Sequence, residues 1–190
     1  MAALTVQETL QQAAQKLQEG KPEQALAVLD PCRDAGSQVA DFWQLLALAH
    51  KGLGASAEAE AAFLASIAID PQPHVITNLA NLYRSLNQAE AAMEHYDQAL
   101  ALAPDHLPAQ INRARAMLDL NRYTEARLAF QAILQAHPEH RNATLGLAQS
   151  LQQLGEQEQA LGLFQSVLDA APNNTVALNG MGISLKTLGY

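Results

Sequence analysis

Six histidines, one cysteine and a cluster of arginines are the residues of this chain whose chemistry reaches beyond packing. The histidines, at positions 50, 74, 95, 106, 137 and 140, are scattered, and the nearest pair, His137 and His140, has Pro138 and Glu139 between its members. Two-histidine zinc sites set both imidazoles on one face of an unbroken helix, which a proline between them interrupts. A solvated turn is the reading this stretch supports, with no metal site. Cys32 stands alone, so neither an internal disulfide nor a multi-thiolate zinc site is expected within one chain. No G-x-S-x-G, phosphate-binding loop or G-x-G-x-x-G occurs. The chain is therefore expected to be no enzyme, with no catalytic residues and no cofactor. What remains is a basic cluster, Arg84, Arg113, Arg115, Arg122 and Arg127, in a chain whose 19 acidic and 11 basic residues leave a net charge of −8. An arginine fork can take a carboxylate through two parallel hydrogen bonds.

Those side chains need elements to carry them. Apolar residues are 49% of the 190, yet aromatics are 5% and charged residues 16%, so alanine and leucine supply most of the apolar share and glutamine much of the polar face. These are helix formers, whereas strands favour β-branched and aromatic residues. An all-α class follows. The acidic balance argues against nucleic acid, whose phosphates call for a basic face. No block of like charges forms an acidic tail or a polybasic membrane anchor. Residues 1–17, MAALTVQETLQQAAQKL, read as an amphipathic helix rather than a secretion signal. No apolar run approaches 18 residues, so no membrane span is expected, and the chain reads as cytoplasmic.

The helices recur at a fixed period. Pro71, Pro104, Pro138 and Pro172 follow one another at intervals of 33, 34 and 34 residues, each closing a helical stretch. Proline cannot continue a helix and turns the preceding residue away from it. Eight residues before each proline stands an aromatic, Phe63, Tyr96, Phe130 or Phe164, and four residues earlier an alanine, Ala59, Ala92, Ala126 or Ala160. An i, i+4 pair marks one helix face, where the alanine permits close approach and the ring fills the space beside it. Leu53, Leu86, Leu120, Leu154 and Leu188 recur near the end of the other helix, each followed by a turn residue, Gly54, Asn87, Asn121, Gly155 or Gly189, suited to a left-handed cap.

This period, with its Ala-x3-aromatic pair and closing proline, resembles the tetratricopeptide repeat. Trp43 and the run Asn78-Leu79-Ala80-Asn81-Leu82-Tyr83 extend the resemblance, which is strong from Ala40 to Tyr190 and weaker over residues 6–39. It implies an all-α, right-handed superhelix (an α-solenoid) of about five helical hairpins plus one extra C-terminal helix. The repeats would fall at 6–39, 40–72, 73–106, 107–140 and 141–174, with a partial one at 175–190, in a single domain. It also implies a scaffold or adaptor whose first helices line a concave groove that binds a peptide or protein partner. Followed by repeat phase, the family's ligand-facing positions include Gln44, Lys51, Thr77, Asn78, Asn81, Arg84, Asn112, Arg115, Asp119 and Gln149.

Within that set, Asn78 and Asn112 share a repeat position, as in the asparagine ladders by which some members hold a peptide backbone. Leu45, Gly146 and Gly180 interrupt the column, so ordinary family sequence is the competing reading. Arg113 takes a position held elsewhere by Leu46, Leu79, Leu147 and Met181; it either snorkels from the packed seam or joins Arg84 and Arg115 in the groove. The lysine-and-asparagine clamp of chaperone-binding members, with Lys four residues before Asn, is absent, which disfavours that partner class.

The ends depart from the pattern. In the first repeat Leu29 replaces the aromatic and Pro31 falls inside the second helix, so that helix is expected to stop or kink at Asp30, with residues 32–38 as a loop. At the other end, residues 175–190 repeat the first helix and turn only. The apolar face with Leu178, Met181, Leu185 and Leu188 then lacks a partner helix, and such arrays need a polar cap. Two expectations follow: that the chain is the N-terminal recognition arm of a larger modifying enzyme of glycosyltransferase, sulfotransferase or oxygenase type, or that two copies pair through this face as a homodimer.

Overall fold

The computed structural model describes residues 5–190, and these form helices and no strand. Helices α1 (Val6–Gln18) and α2 (Pro22–Leu29) make the first hairpin, followed by a 3-10 turn (Asp30–Cys32) and a single helical turn, α3 (Arg33–Gly36). Four further hairpins follow: α4 (Ala40–Gly52) with α5 (Ser56–Ile69), α6 (Pro73–Ser85) with α7 (Ala89–Leu102), α8 (Leu107–Asp119) with α9 (Tyr123–Ala136), and α10 (Arg141–Gln153) with α11 (Gln157–Ala170). Helix α12 (Thr175–Leu188) packs on α10 and α11. The amphipathic pattern read from Met1 begins in residues 1–4, which lie outside the described residues. No described helix is long and apolar enough to cross a membrane.

The turn that follows each first helix, α12 included, is written in one residue. Gly20, Gly54, Asn87, Asn121, Gly155 and Gly189 all have φ between 58° and 87°. A β-carbon in this left-handed region costs roughly 1–2 kcal/mol, less for asparagine, so these two residue types hold the position. The reversal lets the chain satisfy the last carbonyls of the helix: Asn121 N–H reaches Leu118 O at 3.0 Å and Arg122 N–H reaches Met117 O at 2.8 Å. Gly155→Ala is accordingly expected to cost about 1 kcal/mol in a urea titration, while Asn121→Gly should be neutral or slightly stabilising. Each later second helix ends instead in extended backbone, at Asp70, Ala103, His137 and Ala171, where φ runs from −133° to −148° ahead of the proline.

The alanine–ring pairs are the spine of the core. Ala59 and Phe63, Ala92 and Tyr96, Ala126 and Phe130, and Ala160 and Phe164 are all fully buried, as are Ala25 and Leu29 in the first repeat. Two apolar clusters result, one from Ala13 to Leu82 and one from Ile76 to Ala177, and Ile67 and Tyr83 pack against both. Successive hairpins thus share one continuous interior, which is how a repeat buries a face it cannot bury alone.

The first repeat corrects an expectation. Residues 32–38 do not form a plain loop, because the 3-10 turn and α3 continue the helical path past Pro31. Proline is tolerated there at the opening of the 3-10 turn, where its missing N–H has no helical acceptor to lose. The next helix then clamps this segment: Trp43 Nε1 donates to Ser37 O at 3.0 Å, and the Phe42 ring lies where a β-carbon on Gly36 would be 2.4 Å away.

Candidate functional site

The first helices of the hairpins, α4, α6, α8, α10 and α12, present side chains at corresponding positions to one side of the array. They line two recesses. One, of 1080 Å³, is bordered by Lys51, Asn81, Arg84, Glu90, Asn112 and Asp119 among others. The second, of 840 Å³, is bordered by Arg115, Leu118, Asn142, Leu145, Gln149, Asn179 and their neighbours. Arg84 and Asp119 border both, so the two recesses meet in one groove. At the junction Arg84 Nε donates to Asp119 Oδ2 at 2.5 Å and Nη2 reaches Oδ1 at 3.5 Å, across the gap between α6 and α8.

A polar network lies beneath this pair. The Tyr96 hydroxyl donates to Asn81 Oδ1 at 2.6 Å, and Asn112 Nδ2 donates to the same oxygen at 3.0 Å. Burial holds the Tyr96 hydroxyl well above its ordinary range, so it remains a donor. Asn81 thereby fixes Asn112, and the Asn81 amide N–H2 and the Asn112 carbonyl stay uncommitted among the described residues.

The sequence-derived positions divide into four groups. Lys51, Asn81, Arg84, Asn112, Arg115, Asp119 and Gln149 all border the groove. Gln44 is tied to His74, whose Nε2 lies 3.3 Å from Gln44 Oε1. Asn78 is half-buried and borders neither recess, so the structure does not bring it together with Asn112 at a common opening. Thr77 is a correction: it is 3% exposed and its hydroxyl donates to Pro73 O at 2.7 Å, the preceding turn of its own helix, so it offers the groove no polar group.

The arginine cluster also resolves. Arg113 sits at the seam, with Nε on Asp97 Oδ1 of α7 at 2.6 Å, and does not join Arg84 and Arg115. Arg122 pairs with Glu125 and Arg127 with Glu156. Arg115 has no hydrogen bond or ion pair among the described residues; burial and then the nearby Arg84 charge lower its pKa. Among the histidines, His140 uses Nδ1 to accept the Ala143 N–H at 3.3 Å, which caps α10. Among the described residues no group of three or more His, Cys, Asp or Glu is placed to hold a metal ion.

On α12 the expected pairing face is divided. Leu178 is 49% exposed, Leu185 and Leu188 are half-buried, and Met181 packs against the main apolar cluster. Val176 and Ile183, nearly half exposed, turn instead to the groove and border its second recess. The repeat phase carries the signal for Ile183, which shares a column with Asn81, Arg115 and Gln149 at 34-residue steps. Its apolar side chain disguises it as core.

A stack of helical hairpins with one polar groove along its first helices is an α-solenoid of the repeat-protein class. Family profiles described as tetratricopeptide repeat match residues 40–73, 75–106 and 111–175. The chain belongs to the tetratricopeptide repeat family. Among solved structures it is similar to a tetratricopeptide repeat protein from Parabacteroides merdae ATCC 43184, at 20% identity over 96% of this chain and 73% of that one, with a TM-score of 0.82. It is also similar to PilW, described as a type IV pilus biogenesis factor, at 18% identity over 100% of this chain and 96% of that one, with a TM-score of 0.76. YrrB, described as a protein of this family with an unusual peptide-binding site, aligns at 18% identity over 92% of this chain and 91% of that one, with a TM-score of 0.72. No curated protein matches the chain in sequence.

Proposed function

We propose that this protein works by binding, holding an extended segment of a partner protein in the groove of its first helices. The observation that carries this reading is the pair of joined recesses bordered by amides and charges, several of which keep hydrogen-bonding capacity unspent. Asn112 offers a carbonyl fixed in place by Asn81, and Gln149 is half-buried with no partner among the described residues. Amides of this kind supply both donor and acceptor to a peptide backbone, and Asn112, being already held by Asn81, loses little freedom on binding. The structural likeness to YrrB, itself described by its peptide-binding site, supports the same reading.

The test is selection of peptides from a displayed random library on the intact chain. Binding of the selected peptides is then measured to wild type and to the double variant Asn112→Ala, Gln149→Ala. The variant is expected to bind them at least tenfold more weakly with its helical content unchanged. Equal affinity for both proteins would place the binding surface elsewhere.

A further inference from the structure

Seven of the eleven basic residues have a carboxylate partner, and the two half-buried ones that lack one both border the groove. Lys16, Lys21, Arg33, Arg84, Arg113, Arg122 and Arg127 each have a carboxylate partner. Of the other four among the described residues, Arg141 and Lys186 are exposed, where water solvates them. Lys51 and Arg115 are half-buried, have no hydrogen bond or ion pair among the described residues, and border the groove on either side of the Arg84–Asp119 pair. Burial lowers the pKa of each. Asp119 lies near enough to Arg115 to ease its charge without pairing with it. A partly desolvated cation with no ion-pair partner is still unfavourable in the free protein, and a carboxylate arriving from outside relieves it. Glu90 borders the same recess as Lys51 without pairing with it.

We propose that the groove selects an acidic segment, with one carboxylate of the partner seated on Lys51 and a second on Arg115. This rests on the groove reading above and adds the chemistry of the ligand. Lys51 lies on α4 and Arg115 on α8, with α6 between them. Packed helices stand about 8–10 Å apart, so the two seats are separated by roughly 20 Å. An extended chain covers that in about six residues. Protein carboxylates fit better than a nucleic acid: the seats are two separate points among amides, and the chain carries −8 overall, which repels a polyanion at long range.

The experiment uses a labelled decapeptide of serine and asparagine carrying two glutamates six positions apart. Its counterpart with both glutamates changed to glutamine, and a single-stranded dodecamer of thymidylate, serve as comparisons. Binding is followed by fluorescence polarisation at low salt and mapped by backbone amide chemical shifts. The diacid is expected to bind at least tenfold more tightly than the diamide, with shifts confined to α4, α6, α8 and α10. Lys51→Gln and Arg115→Gln should each remove most of that preference, and Arg115→Lys should restore part of it. Melting curves of the variants exclude unfolding as the cause. Equal binding of the two peptides in the groove overturns the acidic selection and leaves the groove reading standing. Shifts on α5, α7, α9 and α11 instead overturn both. No binding of either peptide at millimolar concentration, or thymidylate binding as tightly as the diacid, also overturns the proposal.

Discussion

Replacing Gly146 by alanine is expected to destabilise the protein by about 1–3 kcal/mol, the usual cost of overpacking a filled core. Helix propensity alone predicts the opposite sign, since alanine in a helix interior is favoured over glycine by about 1 kcal/mol. The decision rests on the neighbour. A β-carbon at Gly146 would lie 2.2 Å from the tip of the Phe130 ring, and Phe130 is fully buried on its other sides. The ring therefore has no free direction in which to retreat. Gly180 stands in the same relation to Phe164, with a contact of 2.3 Å. Phe130→Leu shortens the side chain, so the double variant should lose less stability than the sum of the two single changes, and a denaturation cycle measures that coupling. Additive losses would show that the ring is not the obstacle. The same contact explains why the asparagine column cannot simply be continued. Asparagine at Gly146 would drive a longer side chain into the ring, at greater cost than alanine, before it reached any ligand.

The repeat was legible because it is built from residues that each do one local thing. Proline stops a helix, glycine or asparagine enters the left-handed region, and a ring four residues from an alanine fills one gap, so register survives from hairpin to hairpin. Where a residue's role depends on what lies beside it in space, the sequence was silent or misleading. Thr77 holds a groove position by phase, yet its hydroxyl bonds back to Pro73 and its side chain is buried. Pro31 reads as a break, and only the packing of Phe42 and Trp43 on residues 33–37 shows why a helical turn follows it. Arg113, Arg115, Arg122 and Arg127 look alike on the page. Arg113 and Arg127 find acceptors on neighbouring elements that only the stacking brings close, Arg122 pairs locally with Glu125, and Arg115 has none among the described residues.

Arg115→Met is expected to raise stability by about 0.5–2 kcal/mol, the range common for relieving an unfavourable surface or site residue. For a chain of this size that moves the melting midpoint by about 2–4 °C per kcal/mol. The wild-type guanidinium is half-buried, has no hydrogen-bond acceptor among the described residues, and lies near the positive charge of Arg84, which the more weakly acting Asp119 offsets only in part. Methionine keeps the apolar stem against its neighbours while removing both the desolvation and the repulsion. Arg84→Met provides the contrast. It leaves Asp119 without its partner, and because that pair is partly exposed the change should cost at most about 1 kcal/mol. Added salt should shrink the gain from Arg115→Met, since screening weakens the repulsion that the substitution removes. A loss of stability would instead mean that the guanidinium serves the fold, through packing that methionine does not reproduce. A gain would mean that the free protein bears a cost at one point of a groove whose neighbouring cation, Arg84, is paired. A charge kept at the expense of stability is the expected mark of a residue that meets its partner only when a ligand arrives.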